Sequence, residues 1–244
     1  VKVEMRDSSG NSTYGDATAT LSRTAGTGTL GGTLTGAFTA ASANTSVTIS
    51  GVTYTKAESG VKVKASGVAS GVANFTESSA FTVGAGAVAQ LEVTSINSGA
   101  IVTAGTGFMV AVRVLDANNN VATAATNTPV TLAKAVAGTG GGAIGGTITG
   151  TIAAGASSVT ITGVTLSLAG RDLVLTASAA QITADDSGIF NVAGDATALA
   201  VVSIGTGIVA GQPFSVSVKA VDGAGSDANV TANRVLQLSK NTGA

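Results

Sequence analysis

The chain contains no cysteine, no histidine and no tryptophan, and only two of its 244 residues are proline. Without cysteine there are no disulfides, no thiol nucleophile and no thiolate-bound metal. Without histidine, Ser-His catalysis and His-ligated metals drop out as well. Ser-Lys pairings exist on paper, but serine is so frequent that coincidence accounts for them. The inventory therefore points away from an enzyme. Charge is scarce too. Only 10% of residues are charged, and twelve Lys and Arg against thirteen Asp and Glu leave a net charge of −1. No basic cluster stands ready to neutralise a phosphate backbone, so nucleic acid is not an expected partner. No stretch reaches the roughly 18 to 20 uninterrupted apolar residues of a membrane helix. The glycine-rich run 137–150 holds too much Gly and Thr to insert directly.

What remains is small and β-prone. Hydrophobic residues make up 44% of the chain but aromatics only 3%, and there are 34 glycines. Disorder needs low hydrophobicity and high net charge, and this chain has neither. A core built from Val, Leu, Ile and Ala is thin, which suits two narrow sheets packed face to face. Val and Thr also favour a pleated, half-buried surface over a helix.

A repeat runs through the sequence. Val1-Lys-Val-Glu-Met-Arg-Asp7 matches Val110-Ala-Val-Arg-Val-Leu-Asp116 and Val216-Ser-Val-Lys-Ala-Val-Asp222. Gly31–Gly36 matches Gly145–Gly150, and Ser46–Thr53 matches Ser158–Thr165. Phe81-Thr-Val83 matches Phe190-Asn-Val192, Gly86–Leu91 matches Gly194–Leu199, and Ala104–Phe108 matches Ala210–Phe214. The offset drifts between about 106 and 114 residues, as it does when loops change length and strands do not. This divides the chain into 1–86, an N-terminally incomplete copy, 87–194, a complete one, and 195–244, a C-terminally incomplete one. Read this way, the 244 residues are a window on a longer periodic chain. Short Gly/Ala-rich linkers are expected at 83–89 and 192–197.

Within the middle copy apolar residues alternate. Leu91 and Val93 do so, as do Phe108, Val110, Val112 and Val114 against Met109, Ala111, Arg113 and Leu115. Further strands are expected around Val130 and Leu132, Thr147 to Ile152, Val159 and Ile161, Leu173 and Leu175, and Ile189 to Val192. About seven or eight short strands in roughly 105 residues is the profile of an immunoglobulin-like sandwich. The expected fold is all-β, in tandem immunoglobulin-like β-sandwich domains. The Gly-rich runs 26–32 and 138–146 lack the lysine of a phosphate loop and read as flexible loops or bends in edge strands.

The run Val-x-Val-x-Val-x-Asp-x-x-Asn-Asn at 110–120, the strand Pro129-Val-Thr-Leu132 and the glycine-rich turn after it resemble bacterial Ig-like repeats of the invasin and intimin type. That resemblance implies stacked extracellular domains on a cell surface, carrying an adhesive tip away from the cell. Related repeats occur in surface-layer proteins and fibres. The function expected from it is a structural segment of a surface stalk, fibre or adhesin. Its partners would be neighbouring repeats and further copies in a fibre. The alternative is a binding module that recognises a surface glycan or a host protein through loops at one end of the sandwich. Tyr14 and Tyr54 are its obvious aromatic contacts.

The most site-like feature is the aspartate turn. Asp116, Asn118 and Asn120, with Asp7 and Asn11 in the first copy, place oxygen side chains at alternate positions of a tight loop, where they can converge on Ca²⁺. Asp and Asn also occupy such turns for purely structural reasons, bonding to their own backbone. The third copy, Asp222-Gly-Ala-Gly-Ser226, loses the middle oxygen, and no bidentate Glu follows in any copy. Asp185 and Asp186, the adjacent acidic pair before the last strand of the repeat, could join a metal site between domains, but what Asp usually does before Gly favours a solvated Asx turn before Gly188. Asn11, Asn44, Asn74 and Asn229 lie in Asn-x-Ser/Thr sequons, which are frequent by chance in so Ser- and Thr-rich a chain.

Overall fold

The structure, a computed structural model, describes residues 1–67, 77–223, 225, 228, 230 and 235–239. Among these the regular structure is all β, apart from two single 3₁₀ turns at Ala40–Ser42 and Asn97–Gly99. The chain divides into two units, one of Val1–Gly86 with Asp116–Ala122, the other of Ala87–Leu115 with Thr123–Ala244.

The first unit carries β1 (Lys2–Glu4), β2 (Ala17–Ala25), β3 (Leu30–Gly32), β4 (Thr35–Phe38), β5 (Ser46–Thr48), β6 (Val52–Tyr54), β7 (Glu58–Gly67) and β8 (Phe81–Val83). They pair antiparallel as a sheet in the order β4-β2-β7-β8 and as two ribbons, β1-β5 and β3-β6. Alternate residues of β2 and β7 turn inward, so Ala19 and Leu21 are buried, as are Val61 and Val63. Ala19 and Leu21 share a core with Met5, Phe38 and Ile49.

In the second unit β9 (Val88–Ile96), β10 (Val102–Thr103) and β11 (Phe108–Asp116) come first, then β12 (Thr128–Lys134), β13 (Thr139–Gly140), β14 (Ile144–Gly146) and β15 (Thr149–Ile152). They are followed by β16 (Ser158–Leu166), β17 (Gly170–Leu173), β18 (Leu175–Ala179), β19 (Ile182–Asp186) and β20 (Phe190–Ala193), and then by β21 (Ala198–Ile204) and β22 (Val216–Val221). Eight strands pair in the order β14-β16-β11-β9-β19-β18-β12-β15, and a smaller sheet runs β10-β20-β17-β13. β9 sits mid-sheet, with β11 on one side and β19, parallel to it through Thr183 and Gln90, on the other.

One core draws on both halves of that sheet. Val110, Val112 and Val114 of β11 and Ile161, Val164 and Leu166 of β16 meet Val130 and Leu132 of β12 and Leu175 and Ala177 of β18. The sheet therefore folds over on itself into two layers. The inward residues of β11 are fully buried while Met109 between them is exposed, as a period of two requires. Each such valine contributes about 1.5 to 3 kcal/mol over leaving it in water. On the outer face, Arg113 of β11 donates to Glu92 of β9 at 2.6 Å.

The glycine-rich runs lie at sheet edges. β13 and β14 are edge strands, and so are both strands of the ribbon β3-β6. Gly146 holds φ at +69°, and a Cβ there would run into the carbonyl oxygen of Gly163. That same oxygen accepts the N–H of Thr147 at 3.0 Å. Gly32 repeats the arrangement, with φ at +73° and the Gly51 carbonyl in the same place, bonded to the N–H of Thr33 at 3.1 Å.

One local expectation is corrected. Asp185 and Asp186 do not form a turn; they end β19, paired with Ala177 and Thr176 of β18. Successive strand residues face opposite ways, so the two carboxylates part. Asp185 accepts the N–H of Val93 at 2.8 Å, and Asp186 accepts the hydroxyl of Thr176 at 2.5 Å. The turn falls at Ser187, whose buried hydroxyl accepts the N–H of Leu175 and donates to the Gly188 carbonyl.

Candidate functional site

Asp116 ends β11 with its carboxylate buried. A carboxylate there needs donors, and the local chain supplies them. Oδ1 accepts the backbone N–H of Asn118 at 2.8 Å and of Asn120 at 3.0 Å. The side-chain amide of Asn120 reaches both oxygens, at 3.1 and 2.9 Å. The loop closes through backbone bonds from Asp116 N–H to the Asn120 carbonyl and from Asn119 N–H to the Asp116 carbonyl. Asn119 takes the left-handed conformation at φ +63°, which Asn tolerates better than most residues.

Oδ2 also accepts the N–H of Gly86 at 2.8 Å, across 30 residues of sequence. Gly86 lies between β8 and β9, so the carboxylate fixes the course of the chain where the one strand gives way to the other. The same bond recurs in the second unit. Asp222, also buried, accepts the N–H of Gly194 at 2.9 Å across 28 residues. Gly194 follows β20 as Gly86 follows β8. The two glycines differ in the room around them: a Cβ on Gly194 would lie tightly, 3.1 Å from that of Ala169 and 3.3 Å from that of Asp222, whereas one on Gly86 would make ordinary contact, 3.4 Å from Oδ2 of Asp116.

In the first copy, Asp7 makes the self-bonded turn in the open. Its Oδ1 accepts the N–H groups of Ser9 and Asn11, and the Asn11 amide donates to Oδ2 at 3.2 Å. Of the candidate metal ligands, Asp116 and Asn120 are thus in direct contact, as are Asp7 and Asn11, while Asn118 joins through its backbone and its side chain is exposed. Asn120 also accepts the N–H of Ala57 at 2.9 Å and donates to the Thr55 carbonyl. The arrangement presents N–H donors to a carboxylate. To bind Ca²⁺, Asn120 would have to turn its carbonyl inward and give up both bonds. Among the described residues no three His, Cys, Asp or Glu side chains gather in a metal-binding group.

Electrostatics follow the donors. Burial pushes the Asp116 carboxyl up, but the Asn120 amide and the N–H groups of Gly86, Asn120 and Asn118 together outweigh it and bring it down to about 2. Asp7 is lowered as well, chiefly by the backbone N–H of Asn11.

The aromatic candidates separate. The Tyr54 hydroxyl donates to Glu58 at 2.5 Å and accepts the N–H of Gly28 at 2.8 Å, so its polar end is taken. With the N–H groups of Thr27 and Gly28, that hydroxyl holds the Glu58 carboxyl well below the usual range. Tyr14 is exposed. A groove of about 580 Å³ lies in the second unit among Val93, Ile96, Ile101, Ile189 and Phe190, and no ionisable side chain lines it. Asn11 and Asn44 are exposed; Asn74 and Asn229 lie outside the described residues. Among the described residues no helix is long and apolar enough to cross a membrane.

The clamped glycines were not singled out in the sequence. Their signal was there: a Gly about 30 residues before the strand-ending Asp, in two copies. Fold and site together define an all-β protein with a recurring aspartate-glycine clamp. Neither protein-family models nor curated protein sequences give a match to the chain.

Proposed function

We propose that the chain is a structural repeat segment of an extracellular, bacterial-type surface stalk or fibre, made of immunoglobulin-like sandwiches and acting as a spacer. The observation that carries this reading is the recurrence of pairing. β2 pairs with β4 and β7, as β12 pairs with β15 and β18. β1 pairs with β5 through Val3 and Val47, as β11 pairs with β16 through Val112 and Val159. β3 pairs with β6 through Gly32 and Val52, as β14 pairs with β16 through Gly146 and Val164. β7 meets β8 through Val61 and Phe81, as β17 meets β20 through Leu173 and Phe190.

Two stretches of sequence separated by one period thus share ladder and register. A series of such units gains length by gaining copies, each with its own core. The aspartate-glycine clamp supports the same reading, because it sits where one copy passes to the next. Single-molecule pulling on a chain carrying residues 87–194 several times tests it. Equal steps are expected, each releasing roughly 35 nm for about 105 residues at ~3.4 Å apiece. One cooperative rupture, or steps of unrelated size, would count against independent spacer units.

A further inference from the structure

We infer that the loop 55–57 of one copy is a receiving surface for the aspartate turn of the copy that follows, and that Asn120 is the residue that recognises it. The inference rests on the proposed reading of the chain as successive copies. By sequence the segment Asp116–Ala122 belongs to the second copy, continuing β11, yet it packs with the first unit. Two of its bonds lead away from the turn. The Ala57 N–H donates to Asn120 Oδ1 at 2.9 Å across 63 residues, and the Asn120 amide donates to the Thr55 carbonyl at 3.0 Å across 65. The Asp116–Gly86 bond reaches only the segment connecting β8 to β9, whereas these two reach the body of the first copy. The following copy is thereby held at a second point besides its connecting chain.

The turn itself closes without them. Asp7 and Asn11 form it from internal bonds, with the N–H groups of Ser9 and Asn11 on Oδ1 and the Asn11 amide on Oδ2. Asn120 adds recognition to closure. Its amide nitrogen serves the Asp116 carboxylate as well as the Thr55 carbonyl, and that carboxylate fixes which way round the amide lies, leaving Oδ1 to take the Ala57 N–H.

A side chain here must carry a donor and an acceptor at the same reach. Aspartate would set a second carboxylate against Asp116, and serine is one atom too short. The third copy has Ser226 at the place of Asn120 and keeps the aspartate, Asp222, at that of Asp116. Its bond to Gly194 is retained, so the connecting segment is clamped in both copies while the reach into the preceding copy depends on Asn120.

Two measurements on the 244-residue chain test this. In amide exchange followed by NMR, the Ala57 N–H is expected to be protected, and in Asn120→Ser to exchange at least tenfold faster, while the Asn118 N–H bonded to Asp116 keeps its protection. The chain has no cysteine, so Thr20→Cys and Asn118→Cys, both at exposed positions, give a clean spin-label pair from β2 to the turn. A single narrow distance is expected, broadened by Asn120→Ser. An Ala57 N–H that exchanges as fast as an open loop in the wild type, or exchange and distance both unmoved by Asn120→Ser, overturns the inference. So does loss of the Asn118 protection in the variant, which would make Asn120 a turn residue only. None of these outcomes alters the equal pulling steps expected of a spacer, which copy length sets, and unequal steps would leave the Ala57 exchange as it is.

Discussion

Asp116 shows how one buried charge is made tolerable: donor groups from Asn118, Asn120 and Gly86 surround its two oxygens. Asp116→Ala strands those donors and should cost on the order of 2 to 3 kcal/mol in urea denaturation. Acid should do the same by degrees. The carboxyl sits at about 2 in the folded chain against an ordinary 3.8, so the unfolded chain binds more protons between those values. The stabilisation is complete above the ordinary value and is lost as pH falls through 3.8 toward 2. Accordingly, the stability gap between wild type and Asp116→Asn should be widest at neutral pH and should narrow toward pH 2. A gap that stays constant with pH would remove the charge from the account. Because both oxygens already accept N–H groups, EDTA should leave the melting temperature unchanged. A chelator-induced drop would instead give the turn to Ca²⁺.

Two glycines separate backbone strain from steric clash at this scale. Gly155 and Gly146 both have positive φ, at +80° and +69°, but nothing lies within 4 Å of a Cβ at Gly155, whereas the Gly163 carbonyl blocks one at Gly146. Gly155→Ala should cost about 1 kcal/mol, the left-handed penalty alone. Gly146→Ala should cost about 3 kcal/mol or more and open the β14 edge. Equal thermal shifts in the two variants would mean that the edge gives way freely.

At the scale of elements, strands with strong alternation were legible in the sequence. β11, β12 and β16 fall where Val110 to Val114, Val130 and Leu132, and Val159 and Ile161 place them. Less legible were β10, β13 and β19. β10 and β13 are two residues long, too short for any period to register, and β19 ends in two aspartates whose turn propensity is overridden by pairing with β18. The site was half legible. Asp116, Asn120, Asp7 and Asn11 stood out by type and spacing. The partner Gly86 did not, because a glycine N–H carries no side-chain signature and its bond to Asp116 spans 30 residues. Core energetics belong here too. Leu132→Ala, at a buried position whose neighbours come from both layers, should cost about 2 to 4 kcal/mol. Val136→Ala, fully exposed, should leave the unfolding midpoint unmoved.

At the scale of the molecule, the same ladders, edge glycines and Asp-Gly bond reappear about one period apart. On the proposed function, such a design adds length without new chemistry, because each complete copy would close its own core. Small-angle scattering of chains carrying residues 87–194 two, three and four times is the most direct measurement of this claim. The maximum dimension is predicted to rise by a constant increment with each added copy. A maximum dimension that grows only as the cube root of mass, as for a compact globule, would contradict it.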